Sequence, residues 1–161
     1  MTNEKRSRWL VTIALMLTEL CASSCSKESE HPAASAMTQS PRLRDLIKTI
    51  DDDVNINHIE FTPSVHELID MGSEVYPAML DLMRDPGSLT RLHAKTVLYY
   101  SVAGLFGYNL SSGWATPSGE ARFFGFWVKL GNLRHDGSER DRERSIVLWK
   151  KWIDQKMPLE G

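Results

Sequence analysis

From Val65 to Leu98 the chain reads VHELIDMGSEVYPAMLDLMRDPGSLTRLHAKTVL, two apolar-periodic runs separated by Asp85-Pro86-Gly87. In the first, Val75, Tyr76, Met79, Leu80 and Met83 recur at helical spacing, and the Asp-Pro-Gly punctuation stops the helix. In the second, Leu89, Leu92, Thr96, Tyr99, Tyr100 and Ala103 make one face, while Ala94, Val97 and Leu98 make the opposite side apolar too. A helix apolar on most sides has to lie between neighbours. These two helices therefore require others around them, which constrains the whole chain.

Those others announce themselves at their starts. Ser40-Pro41, Thr62-Pro63 and Thr116-Pro117 each set a capping hydroxyl before a proline whose missing N–H costs nothing at the first helical position. Ser138, with Asp141 three residues on, is a variant capping box with a shorter acid. Apolar faces follow each start: Leu43, Leu46, Ile47 and Ile50; Val65, Leu68, Ile69 and Gly72; Phe123, Trp127 and Leu130; Ile146, Trp149 and Ile153. No alternation is long enough for a sheet. The expectation is an all-α domain over 41–161, a short right-handed stack of helical hairpins (about 41–72, 74–104 and 117–157), with an irregular helical bundle as the alternative.

The first 25 residues have a different character. A basic start (Lys5, Arg6, Arg8), an apolar run from Trp9 to Leu20 and small residues before a cysteine are the three parts of an export signal. The run is shorter than the roughly 20 residues of a spanning helix. Ala22-Ser23-Ser24-Cys25 resembles the lipobox of bacterial lipoproteins, with Ala22 where that family usually has leucine. The resemblance implies diacylation of Cys25, a mature chain beginning there, and a membrane anchor facing the periplasm or cell exterior. The alternative is a secreted soluble protein cleaved after Ala34-Ser35-Ala36. Loss of Cys21 with the signal and acylation of Cys25 would leave no thiol for a disulfide. Residues 26–40 are polar and small and read as a flexible tether of about 20 Å.

Leu68-Ile69, Gly72, Val75, Pro77, Leu80, Met83, Asp85-Pro86, Arg91, Ala94 and Leu98 resemble a HEAT-type repeat. In that family a first helix with an early proline meets a second through an Asp-Pro turn, and an arginine followed three residues later by alanine sits early in the second. The resemblance implies an α-solenoid in which Pro77, Asp85, Arg91 and Ala94 carry the repeat motif, Asp85 and Arg91 bridging the turn to neighbouring repeats. Such units need about three stacked copies to share a core. The terminal helix needs a polar outer face, which residues 140–144 supply, with i,i+3 pairs expected between Glu139 and Arg142 and between Asp141 and Arg144.

Charge divides unevenly: 5 Lys and Arg face 12 Asp and Glu from Ser26 to Thr90, a balance of −7, whereas 11 face 7 from Arg91 to Gly161, a balance of +4. Such a dipolar module can steer an oppositely patterned partner. A sequence pI of 6.2 and the export signal argue against nucleic acid.

The linker Gly104–Thr116 interleaves glycines with Phe106, Tyr108 and Trp114, and long loops carrying exposed aromatics are typical contact surfaces. Tyr108 and Trp114 are the candidate interface, set against the alternative that they fold back over the core. Chemistry is less well signalled. Asp51, Asp53 and Asn55 open like a calcium loop, yet Ile56 stands where glycine is required and Thr62 where the closing glutamate belongs. His66 and Asp70 share a helix face, where a surface hydrogen bond is expected, and His93 reads as a satisfied core histidine. No metal or cofactor is expected. The sequence reading is thus a non-enzymatic envelope scaffold that binds a protein partner. Its rivals are a small metal-dependent enzyme using His58, His66 or His135, and a periplasmic inhibitor or immunity protein.

Overall fold

The computed structural model describes residues 39–156. The expected signal, the expected lipid site at Cys25, the alternative cleavage site at Ala34-Ser35-Ala36 and nearly all of the expected tether lie outside the described residues. Six α-helices appear among those described: α1 (Pro41–Lys48), α2 (Pro63–Asp70), α3 (Tyr76–Leu82), α4 (Ser88–Leu105), α5 (Pro117–Lys129) and α6 (Glu139–Lys156). The chain is mostly helical, and no described helix is long and apolar enough to cross a membrane.

The expected caps form. Ser40, Thr62 and Thr116 hydroxyls accept from the backbone N–H of Leu43, Val65 and Gly119 at 3.2, 3.1 and 3.1 Å, each with a proline opening its helix. Ser138 accepts from the Asp141 N–H at 3.2 Å and donates its own proton to the Asp141 carboxylate at 2.7 Å, so the short acid returns to the hydroxyl. Two boundaries are tighter than the periodicity suggests. Ile50 lies beyond α1 yet is buried, and Gly72 has left α2 to start a 3₁₀ turn (Gly72–Val75) at φ +65, a left-handed conformation suited to glycine.

α4 is the hub: α2, α3 and α5 pack on it, while α6 lies on α3. Val75, Met79, Leu80, Met83, Val97, Leu98 and Val102 are fully buried between them. Burying a side chain of that size stabilises by about 1.5–3 kcal/mol, and this interior holds the surface segments in place. Phe123, Trp127 and Trp149 extend it through edge-to-face contacts of Trp127 and Tyr76 on Trp149 at 5.4 and 6.2 Å. Neither of the i,i+3 pairs expected on α6 forms among the described residues. Arg142 donates to the Met83 and Gly137 carbonyls, and Glu143 takes a two-pronged bond from Arg84, in the turn after α3, at 2.7 and 2.8 Å.

The linker after α4 is more ordered than a loop. β1 (Tyr108–Asn109) pairs antiparallel with β2 (Gly113–Trp114), Tyr108 opposite Trp114, across a three-residue turn. Gly113 takes the left-handed conformation such turns need, and the Asn109 side chain accepts from the Ser111 and Ser112 N–H groups.

Candidate protein-binding site

The connection from α1 to α2, residues 49–62, rises from the surface as a series of tight turns. Asp53 sits at φ 55, Asn55 Oδ1 accepts the Asn57 N–H at 2.9 Å, and the N–H groups of His58 and Phe61 reach the carbonyls of Asn55 and His58 at 3.0 Å. These turns lift Ile56 to 92 % exposure and Ile59 to 49 %. Apolar side chains so presented on a structured segment mark a contact surface better than scattered surface leucines do.

What fixes this segment is a buried histidine. His93, on α4, is 0 % exposed; its Nδ1 meets Asp51 Oδ1 at 2.6 Å and its Nε2 meets the Ile59 carbonyl at 2.7 Å. A carbonyl only accepts, so Nε2 is the N–H there, and a second proton lies in the contact between Nδ1 and Asp51. Thr90 donates to the other Asp51 oxygen at 2.5 Å, and Thr62 donates to the Ile50 carbonyl at 2.9 Å. Both ends of the connection are thereby held to the core. A partner meeting a pre-shaped segment loses little by ordering it.

Between this connection and the β-hairpin lies a cleft of about 510 Å³ lined by Asp53, Asn55, His58, Phe61, His66 and Leu110, among others. Its floor is aromatic. Phe61 stacks on His66 at 5.1 Å and meets Tyr100 at 5.3 Å, and Tyr100 in turn meets Tyr108 at 5.4 Å. His66 thus lies against Phe61, in place of the Asp70 hydrogen bond expected from its spacing. Tyr108 and Trp114 are half-buried and pack on the core, Trp114 on Phe123 at 5.3 Å; it is Leu110, at the tip of their hairpin, that reaches the cleft at 40 % exposure.

The histidines of the metal reading separate. His58 and His66 share the cleft with Asp53, but among the described residues no group of three His, Cys, Asp or Glu side chains stands close enough to hold an ion. His135 lies in the α5–α6 connection, where burial lowers its pKa, and its carbonyl accepts from Arg91 Nε at 2.9 Å. Arg91 also donates to the carbonyls of Asp85 and Pro86 at 2.6 and 2.8 Å, while the Asp85 carboxylate accepts the Gly87 N–H at 2.7 Å. Pro77 and Ala94 lie at the start of α3 and on the buried face of α4.

Sequence reasoning missed Ile56, Ile59 and Leu110, because their signal is apolar residues that fit neither a helical nor a strand period. It also missed the Asp51–His93 link, whose members are 42 residues apart. No known protein family matches the chain, and no curated protein or solved structure is significantly similar to it.

Proposed function

We propose that this is an exported scaffold module, lipid-anchored through Cys25, that binds another protein over the α1–α2 connection and the cleft between it and the β-hairpin. The observation that carries this reading is Ile56, almost wholly exposed on a connection that His93 grips at both Asp51 and Ile59. Leu110 and Ile59 supply the rest of the apolar contact, and Tyr108 and Trp114 support Leu110 from the core side. The finer architecture belongs to the same proposal: three hairpins stacked as a HEAT-like α-solenoid. The packing of α2 and α3 on α4, and Arg91 linking the Asp85-Pro86 turn to the next connection, favour it.

Chemical cross-linking and capture from envelope extracts tests the reading. The wild type should retain a partner that Ile56→Asp loses, with circular dichroism unchanged. Mass spectrometry of the processed chain should show the acyl mass on Cys25, and Cys25→Ala should move the protein to the soluble fraction without loss of the partner. Capture indifferent to Ile56→Asp and to Leu110→Asp would overturn the cleft as the binding surface.

A further inference from the structure

Two groups among the exposed apolar residues stand in electrically opposite settings. Ile56 and Ile59 lie on the connection 49–62, which holds Asp51, Asp52, Asp53 and Glu60 and no Lys or Arg; Asp51 is engaged by His93 and Thr90, and Glu60 lies 3.9 Å from His58, which leaves Asp52 and Asp53 without an ion pair among the described residues. At the other site, Val128 of α5 and Val147 of α6 are 65 % and 64 % exposed. Val128 lines a second cleft, about 360 Å³ in volume, whose walls carry Lys129, Arg134, Arg142 and Arg144 against the single carboxylate of Asp141. Part of that charge is engaged: Arg134 pairs with Asp136 at 2.8 Å, and Arg142 is held by backbone carbonyls. Lys129 and Arg144 have no ion pair among the described residues. The two clefts share no lining residue, so both can be occupied at once.

We propose that each of these surfaces is the ligand of the other, a second copy of the chain seating Val128 and the Lys129–Arg144 rim of α5 and α6 against Ile56 and the carboxylates of the α1–α2 connection. The proposal rests on the reading of the α1–α2 connection as a protein-binding surface and names its occupant. Charge complementarity selects the pairing: two acidic connections repel, as do two basic clefts, whereas a head-to-tail contact brings unlike rims together around apolar centres. The whole chain is nearly balanced at a formal −2, so repulsion between whole molecules opposes the contact little. A head-to-tail contact is heterologous and leaves one surface of each kind free, so copies can add in series.

Cysteine cross-linking between full-length copies in their native membranes tests it. Ile56→Cys and Val128→Cys, each in its own chain with the thiols at 21 and 25 otherwise unchanged, should form a disulfide-linked dimer when co-expressed. Neither should exceed the wild-type background alone, and the double variant should give a ladder. Asp53→Lys or Arg144→Glu should each cut the mixed cross-link by about tenfold, as should raising NaCl from about 50 to about 500 mM. Co-expressing the two charge reversals on opposite partners should restore it. A mixed cross-link no stronger than background, in chains whose circular dichroism is wild-type, overturns the second copy as occupant. If Ile56→Asp still abolishes capture of some other protein in that case, the cleft remains a binding site. If capture is also unchanged, the cleft reading falls with it.

Discussion

Residues 49–62 and 106–116 are both long connections that carry apolar side chains to the surface, yet they are held by opposite means. The first is fixed by directional polar bonds: His93 to Asp51 and Ile59, Thr90 to Asp51, Thr62 to Ile50. The second has hydrogen bonds within its own hairpin but is seated on the core by rings: Phe106 on Phe126 at 5.4 Å, Tyr108 against Trp114 at 4.9 Å, and Trp114 on Phe123 at 5.3 Å. Polar fixation holds one geometry and fails abruptly when a partner goes, because the remaining groups stay buried and unsatisfied. Ring packing is adaptable and fails in proportion to the area lost. The former is what holds Ile56 in one position.

His93→Leu is the strongest way to break the comparison. It leaves the Ile59 carbonyl without its donor and the Asp51 carboxylate with Thr90 alone, and urea unfolding should show a loss of about 3 kcal/mol. Amide exchange across 51–62 should accelerate more than in α3 or α4. Exchange that stays slow there would mean the connection is held by something other than His93. The core beneath both connections provides an alkaline reference. Burial pushes the Tyr76 phenol up to about 12 from 10.0, so above pH 10 the unfolded chain sheds a proton that the folded one retains. This contribution is complete below pH 10 and decays as pH rises towards 12, a loss of about 2 to 3 kcal/mol. Tyr76→Phe should flatten the pH profile of thermal unfolding between those values, with no selectivity for either connection.

Trp114→Ala should cost about 2 kcal/mol by thermal unfolding, less than truncating a fully buried indole, whereas Trp114→Phe should cost under about 1 kcal/mol. Equal losses for the two replacements would show the hairpin to be as exacting as the polar connection. The smallest effect belongs to the link between α3 and α6, which touches neither connection. Its bond from Arg84 holds the Glu143 carboxyl below its ordinary 4.5, so the pair stabilises above about pH 4.5 and its contribution disappears as the acid is protonated at lower pH. Both side chains are about two-fifths exposed, and a double-mutant cycle should return about 0.5 kcal/mol at neutral pH and nothing at about pH 2.

Local physics made much of this legible beforehand. A hydroxyl followed by proline determines a helix start within a few residues, so Ser40, Thr62 and Thr116 could be read directly, and Ser138 with its acid nearly so. The two-sided apolarity of residues 88–105 foretold that α4 would be enclosed. Arg142 was misassigned because its partner, the Met83 carbonyl, is 59 residues away, and an i,i+3 partner is the one visible in a linear chain. The hairpin at 108–114 has two-residue strands, too short for any alternation to register. The candidate site was hardest to see because it depends on Asp51 meeting His93 across the fold. His93 could be read as a satisfied core residue, but its partners could not.

Gly119 carries a consequence for how this chain can change over generations. A Cβ there would collide with the Phe106 carbonyl oxygen and press on the Thr116 hydroxyl, so the end of α4 and the first turn of α5 lie closer than any other amino acid allows. Thr116-Pro117-Ser118-Gly119 is therefore a suture, and a drifting descendant could repaint almost every surface residue while keeping that glycine. Its persistence, more than overall identity, is what would betray kinship.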